Sequence, residues 1–146
     1  MPTWLKILLA VALLVVLLVV GVVAAGVFWW SRNKDALITR AKEVVAEGKD
    51  FGAHSNNQGC IDESIVRYKK ERGFATAIST SMFMRTCLDA SKSTPGFCDD
   101  VPKETEFIKS GKWRAEQCRN YDLAGDRYCQ NLFQPVQQYC AQESSR

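Results

Sequence analysis

Hydrophobic and polar positions divide the chain sharply. Ile7 to Trp30 is a run of 24 residues without a charged side chain. As a helix it would span about 36 Å, against a bilayer hydrocarbon core of about 30 Å. The apolar core of a secretory leader is only about 7–15 residues long. Trp4 stands at one end of the run and Trp29-Trp30 at the other, and indole rings favour the headgroup layer, where the ring is buried and the N–H stays wet. These features predict an uncleaved transmembrane anchor over 7–30, with a short tail over 1–6. Val23-Ala24-Ala25 has the small-residue pattern of a signal-peptidase site, and cleavage after Ala25 is the competing reading. The length of the run and its second tryptophan belt weigh against it. Lys6 on one side and Arg32 with Lys34 on the other complete the expected membrane-interface set, but their near balance leaves the orientation undecided.

Beyond the anchor the apolar spacing becomes helical and amphipathic. Leu37, Ala41, Val44, Val45 and Gly48 recur on one face. They predict a juxtamembrane helix within a 31–54 stalk, which Gly48 and then Gly52 would stop. The turn-forming cluster His54 to Cys60 opens a domain over 55–146. Four helical stretches follow. Cys60 to about Arg72 carries Ile61, Ile65 and Tyr68, and Gly73 breaks it. Ala75 to about Ala90 carries Ile78, Met82, Phe83 and Cys87. A third stretch starts at Val101-Pro102-Lys103-Glu104, is interrupted at Ser110-Gly111, and resumes from Lys112 to Asn120. The last runs from Asp126 to about Ala141 on a stripe of Cys129, Leu132, Phe133, Val136 and Cys140, bent at Pro135. No strand is expected. The fold class is all-α: a single transmembrane helix, an amphipathic juxtamembrane helix and a small disulfide-stapled bundle.

Cysteine usage supplies the compartment. Cys60, Cys87, Cys98, Cys118, Cys129 and Cys140 all follow the anchor, with successive separations of 27, 11, 20, 11 and 11. No CxxC occurs and His54 is the only histidine, so neither a zinc site nor a thioredoxin-type site is indicated. An even number of cysteines in a small exported domain reads as a disulfide framework. The carboxyl-terminal part is then expected outside the cytoplasm and the amino terminus inside. With so compact a leader, this suggests a bacterial inner membrane and a domain in the periplasm or exterior. The alternative, a eukaryotic lumenal protein, has no Asn-x-Ser/Thr site in its support. For the pairing, residues equidistant from a turn meet across an antiparallel helical hairpin. That logic gives Cys60–Cys87 about Gly73 and Cys118–Cys129 about Leu123-Ala124, leaving Cys98–Cys140. The rival is Cys87–Cys98 across the SKSTPG loop. Cys129–Cys140 along one helix is excluded, because 11 residues rise about 16 Å while bridged Cα atoms lie within about 7 Å.

Charge removes further classes. The net charge of +3 comes from three of the 19 Lys+Arg, namely Lys6, Arg32 and Lys34; the other 16 lie with all 16 Asp+Glu in residues 35–146. A formally neutral exported part does not suit nucleic-acid binding, which depends on neutralising phosphates. Candidate chemistry is thin. His54 has no serine or cysteine motif beside it. Asp62-Glu63, Asp99-Asp100, Glu104 and Glu106 read as helix-start acids before they read as a facing carboxylate pair. Arg67, Lys69, Lys70 and Arg72 form a basic cluster able to meet an anionic headgroup or partner, although a solvated helix face is the plainer reading. Gly21 and Ala25 make a small-xxx-small pair that would allow close helix approach and a homo-oligomer. No cofactor or metal is expected. The leading expectation is a non-enzymatic interaction or accessory subunit of an envelope complex, with the lipid bilayer and an unidentified protein as partners. A tethered module for a small ligand or cell-wall fragment would need an apolar concavity near Trp113, Phe107 or Tyr128, and an enzyme would need acids converging in a cleft.

Overall fold

The computed structural model describes Pro2 to Ser145, and every described element is helical. The chain divides into two compact units, Met1–Arg40 and Ala41–Arg146. The first helix, α1 (Thr3–Ala53), runs through the boundary. Nothing interrupts it, since no proline lies between Pro2 and Pro95. In the first unit α1 is long and apolar enough to cross a membrane, with an 18-residue window of mean hydropathy 3.4 that is nowhere buried. Where the apolar run ends, polar side chains fold back onto the helix. Ser31 Oγ donates to the Phe28 carbonyl at 2.9 Å, Asn33 Nδ2 donates to the Trp29 carbonyl at 2.8 Å, and the Arg32 guanidinium lies 4.7 Å from the Phe28 ring centre.

The second unit is an α-helical bundle closed by three disulfides. Its elements are the end of α1, then α2 (Asn57–Lys70), α3 (Phe74–Ala90), α4 (Phe107–Asn120), α5 (Cys129–Leu132) and α6 (Gln134–Glu143). Asn56 caps α2 by accepting from the Gly59 N–H at 2.9 Å, satisfying one orphan donor of its first turn. The central helix is α3, which packs against α2, α5 and α6. Its Phe83, Met84, Cys87 and Leu88 are buried with Tyr68, Leu123, Leu132, Phe133 and Val136. The disulfides join Cys60 to Cys87, Cys98 to Cys140 and Cys118 to Cys129, with Cα separations of 5.7, 5.4 and 6.0 Å. Cys60–Cys87 and Cys118–Cys129 are the pairs that hairpin symmetry gives, and Cys98–Cys140 is the pair it leaves; the rival Cys87–Cys98 is not formed. They fasten α2 to α3, the 91–106 connection to α6, and the end of α4 to α5.

Four local expectations are corrected. Gly48 and Gly52 do not stop α1; both are buried inside it, and α1 ends only at Ala53. A Cβ on Gly52 would stand 2.4 Å from the Cys87 carbonyl oxygen, and one on Gly48 would stand 2.8 Å from that of Phe83. The two glycines, four apart on one face, let α1 lie directly against α3. Val44 and Phe51 of α1 also pack on the core, within the compact unit Ala41–Arg146. Second, Val101-Pro102 does not begin a helix. Residues 101–106 are irregular, and the Pro102 carbonyl accepts from buried Gln137 Nε2 at 2.9 Å. Third, Ser110-Gly111 does not break α4. Ser110 is buried and bonded to Gln137, while Gly111 faces open space, where a helical glycine costs only about 1 kcal/mol. Fourth, the last helix is not bent at Pro135 but divided at Phe133, with proline in the first turn of α6. Proline has no N–H to continue the ladder of α5 and suits a helix start.

Candidate functional site

The residues with chemical potential lie in separate places. His54 is exposed just past the end of α1, its Nδ1 2.9 Å from the Asp50 carbonyl oxygen. Of these acids Glu106 stands at a helix start, as the N-cap residue of α4, whereas Asp62, Glu63, Asp99, Asp100 and Glu104 do not. Asp62 lies within α2 and accepts from Gln58 Nε2 at 2.9 Å and from the Tyr121 hydroxyl at 2.8 Å. Glu63 accepts from Arg67, and Glu106 pairs with Lys109 beside α4. Asp99 and Asp100 lie in the turn-rich 91–106 connection. Among the described residues no group of three or more His, Cys, Asp or Glu is placed to hold a metal ion.

The basic cluster is divided by the fold. Arg67 is occupied: its Nη1 donates to Glu47 of α1 at 2.6 Å, its Nε donates to Glu63 at 2.8 Å, and its guanidinium lies 3.9 Å from the Phe83 ring centre. It fastens α1, α2 and α3 together. Lys69, Lys70 and Arg72 stay exposed. In the first unit Trp4, Lys6, Trp29, Trp30, Arg32 and Lys34 are all exposed as well.

The aromatic candidates separate in the same way. Trp113 meets Phe133 edge-on at 6.0 Å and is partly buried, whereas Phe107 is 81% exposed at the start of α4. Trp113 borders a concavity of about 440 Å³ with Phe97, Val101 and Asp100. Tyr128 borders a larger groove of about 470 Å³ between α3 and the α5–α6 segment. One wall of that groove is the α3 face of Phe74, Ile78, Met82 and Arg85; Tyr128 and Pro135 stand opposite. Phe74 and Tyr128 are in ring contact at 5.9 Å. Arg85 Nη1 donates to Gln138 Oε1 at 2.6 Å across the groove.

Three polar clusters have no signal in the sequence. Wholly buried Tyr68 donates to Asp126 Oδ1 at 2.7 Å, and the same carboxylate accepts from the N–H groups of Tyr128 and Cys129, capping α5. Buried Gln137 joins Ser110 and Pro102, and buried Asn57 accepts from the Thr94 N–H at 2.7 Å and donates to Ser91 at 3.0 Å. Partners 27 to 58 residues apart leave no local pattern. No family model, no curated protein and no solved structure matches this chain.

The tyrosines give a pH signature. Burial, reinforced by the hydrogen bond to Asp126, pushes the Tyr68 hydroxyl up to about 12; burial and the bond to Asp62 push Tyr121 up to about 12 as well. Both ordinarily ionise near 10. A raised value in the fold means that the stabilisation is complete below pH 10 and is lost as pH rises towards 12. The loss from Tyr68 is on the order of 2–3 kcal/mol, with less from Tyr121, which is partly open to solvent. Melting midpoints of the wild type should fall steeply between pH 10 and 11.5. The Tyr68→Phe variant starts lower and falls less; parallel curves would remove Tyr68 from the account. At the acid end burial alone would raise Asp126, but the hydrogen bonds from Tyr68, Tyr128 and Cys129 hold it below 3.8. Its contribution is therefore lost only as pH falls through that depressed value.

Proposed function

We propose that this chain is a single-pass envelope protein, anchored by 7–30 in a bacterial inner membrane, that presents its helical domain on the outer side as a non-enzymatic interaction or accessory subunit. One observation carries the reading: a fully exposed apolar helix stands on the same chain as a domain whose six cysteines are all paired. Disulfides persist where the compartment is oxidising, so the paired domain belongs outside and the amino terminus inside. The surface offered to a partner includes Lys69, Lys70 and Arg72, and the exposed pair Phe107 and Ile108 adds apolar area. A homo-oligomer through the Gly21 and Ala25 face is compatible with this arrangement, since a Cβ at Gly21 meets nothing within 4 Å.

Intact mass of the membrane fraction tests the anchor. The expected species retains its amino terminus, and one beginning at Gly26 would sink the reading. Protease added to intact spheroplasts tests orientation: the domain should be degraded from outside, and protection until lysis would reverse the topology. Purification in mild detergent after cross-linking tests the interaction role. The expected result is one stoichiometric co-purifying chain, lost when Lys69, Lys70 and Arg72 are changed to Glu or when Phe107 and Ile108 are changed to Ser.

A further inference from the structure

We propose that the groove between α3 and the α5–α6 segment binds a medium-chain amphipathic carboxylate, with its tail along Phe74, Ile78 and Tyr128 and its anionic head at Arg85. Among the described residues of the second unit five large apolar ones are exposed, namely Val66, Phe74, Ile78, Phe107 and Ile108, and two of them border this groove. Phe74, Ile78 and Met82 recur every four residues along α3, so their side chains form one continuous wall. From Phe74 to Arg85 that wall is about 16 Å long, which suits an extended ligand better than a compact one. The volume of about 470 Å³ falls within the range of about 300–1,000 Å³ usual for small-ligand sites, which pair an apolar lining with a few placed polar groups. Met82 adds a flexible thioether able to follow the shape of a tail.

The head group follows from charge. Among the described residues Arg85 is the only charged one lining the groove, and no acid lines it. No carboxylate of the described residues pairs with Arg85; its one hydrogen bond goes to the neutral amide of Gln138. That bond orients the guanidinium and leaves its other N–H groups available. A guanidinium fork matches a carboxylate in shape. A single cation balances a single negative charge, whereas a dianionic phosphate would leave charge uncompensated. The exposed amides of Asn131 and Gln134 lie along the same lining and can donate further hydrogen bonds.

This inference goes beyond the interaction reading and does not rest on it, because the groove lies wholly within the second unit. The test uses the full chain in lipid nanodiscs with a diazirine-tagged dodecanoate, followed by light, reduction, digestion and mass-spectrometric mapping. Labelling is expected on the segments 74–85 and 128–138. Unlabelled dodecanoate should compete, and dodecyltrimethylammonium, with the same tail and the opposite charge, should not. Arg85→Gln should weaken capture about tenfold through loss of a charged hydrogen bond. Ile78→Glu, at a surface position that the core does not depend on, should abolish it while the melting midpoint holds. Label confined to the apolar helix, equal competition by the cationic amphiphile, or capture unchanged in Arg85→Gln would each overturn the assignment.

Discussion

Reduction of the disulfides is expected to unfold the second unit. The bridges close loops with sequence separations of 27, 42 and 11 residues. The chain-entropy account gives about 3.5, 4 and 3 kcal/mol for loops of these lengths. Together that is about 10 kcal/mol, comparable with the whole stability of a small domain, about 5–15 kcal/mol. The bridges should not open together. Cys60, Cys87 and Cys129 have no exposure at all, while Cys98 lies in the partly open 91–106 connection and its partner Cys140 is 5% exposed. Cys98–Cys140 should therefore be reduced first, releasing the connection from α6 while α2 and α3 stay joined. Timed alkylation during mild reduction should trap a species with only these two thiols labelled, and full reduction should abolish the melting transition. A cooperative melt with an unchanged midpoint, after all six thiols are shown to be free, would mean that packing alone holds the bundle.

The sequence reveals most where one period governs a long stretch. The uncharged run is legible as a bilayer-length helix because no polar side chain interrupts it. The α2–α3 hairpin is legible because apolar residues recur every three or four positions on each side of Gly73. Pairing across that hairpin then follows from geometry, and Cys60 meets Cys87 as helical symmetry requires. What fails is punctuation. Gly48, Ser110-Gly111 and Pro102 are each signals of a stop or start when taken alone, and each is overridden by a tertiary partner. The spacing of Gly48 and Gly52, four apart, was the available clue that these glycines serve packing rather than termination. The groove is not legible in the same way. Phe74, Ile78 and Arg85 look like ordinary positions of an amphipathic helix, and only the return of the chain at Tyr128 and Gln138 makes them one wall of a cavity. The Tyr68–Asp126 bond likewise joins residues 58 apart that no spacing rule connects.

Gly52→Ala should cost the second unit about 2 kcal/mol, although alanine is the better helix former. By propensity alone the exchange would gain about 1 kcal/mol. The new methyl, however, would stand 2.4 Å from the Cys87 carbonyl oxygen and 3.1 Å from its carbon, and Ala90 Cβ closes the other side at 3.0 Å. The obstacles are backbone atoms of α3, and Cys87 is tied to Cys60, so neither can turn aside as a long side chain would. Relief requires α1 to move off α3. That motion would loosen the contacts of Val44 and Phe51 with the core and the tie from Arg67 to Glu47. Overpacking of this kind typically costs about 1–3 kcal/mol, which outweighs the propensity gain. For a domain of about this size, 2 kcal/mol lowers the melting midpoint by about 10 °C. Gly111→Ala provides the internal contrast. It lies within a helix too, but a Cβ there meets nothing within 4 Å, so its midpoint should hold or rise by a few degrees. Hydrogen exchange adds a local readout: in Gly52→Ala the amides of 41–53 should lose protection before those of α2 and α6. If Gly52→Ala melts with Gly111→Ala, or loses protection evenly across the bundle, the close packing of α1 on α3 is not what these glycines provide.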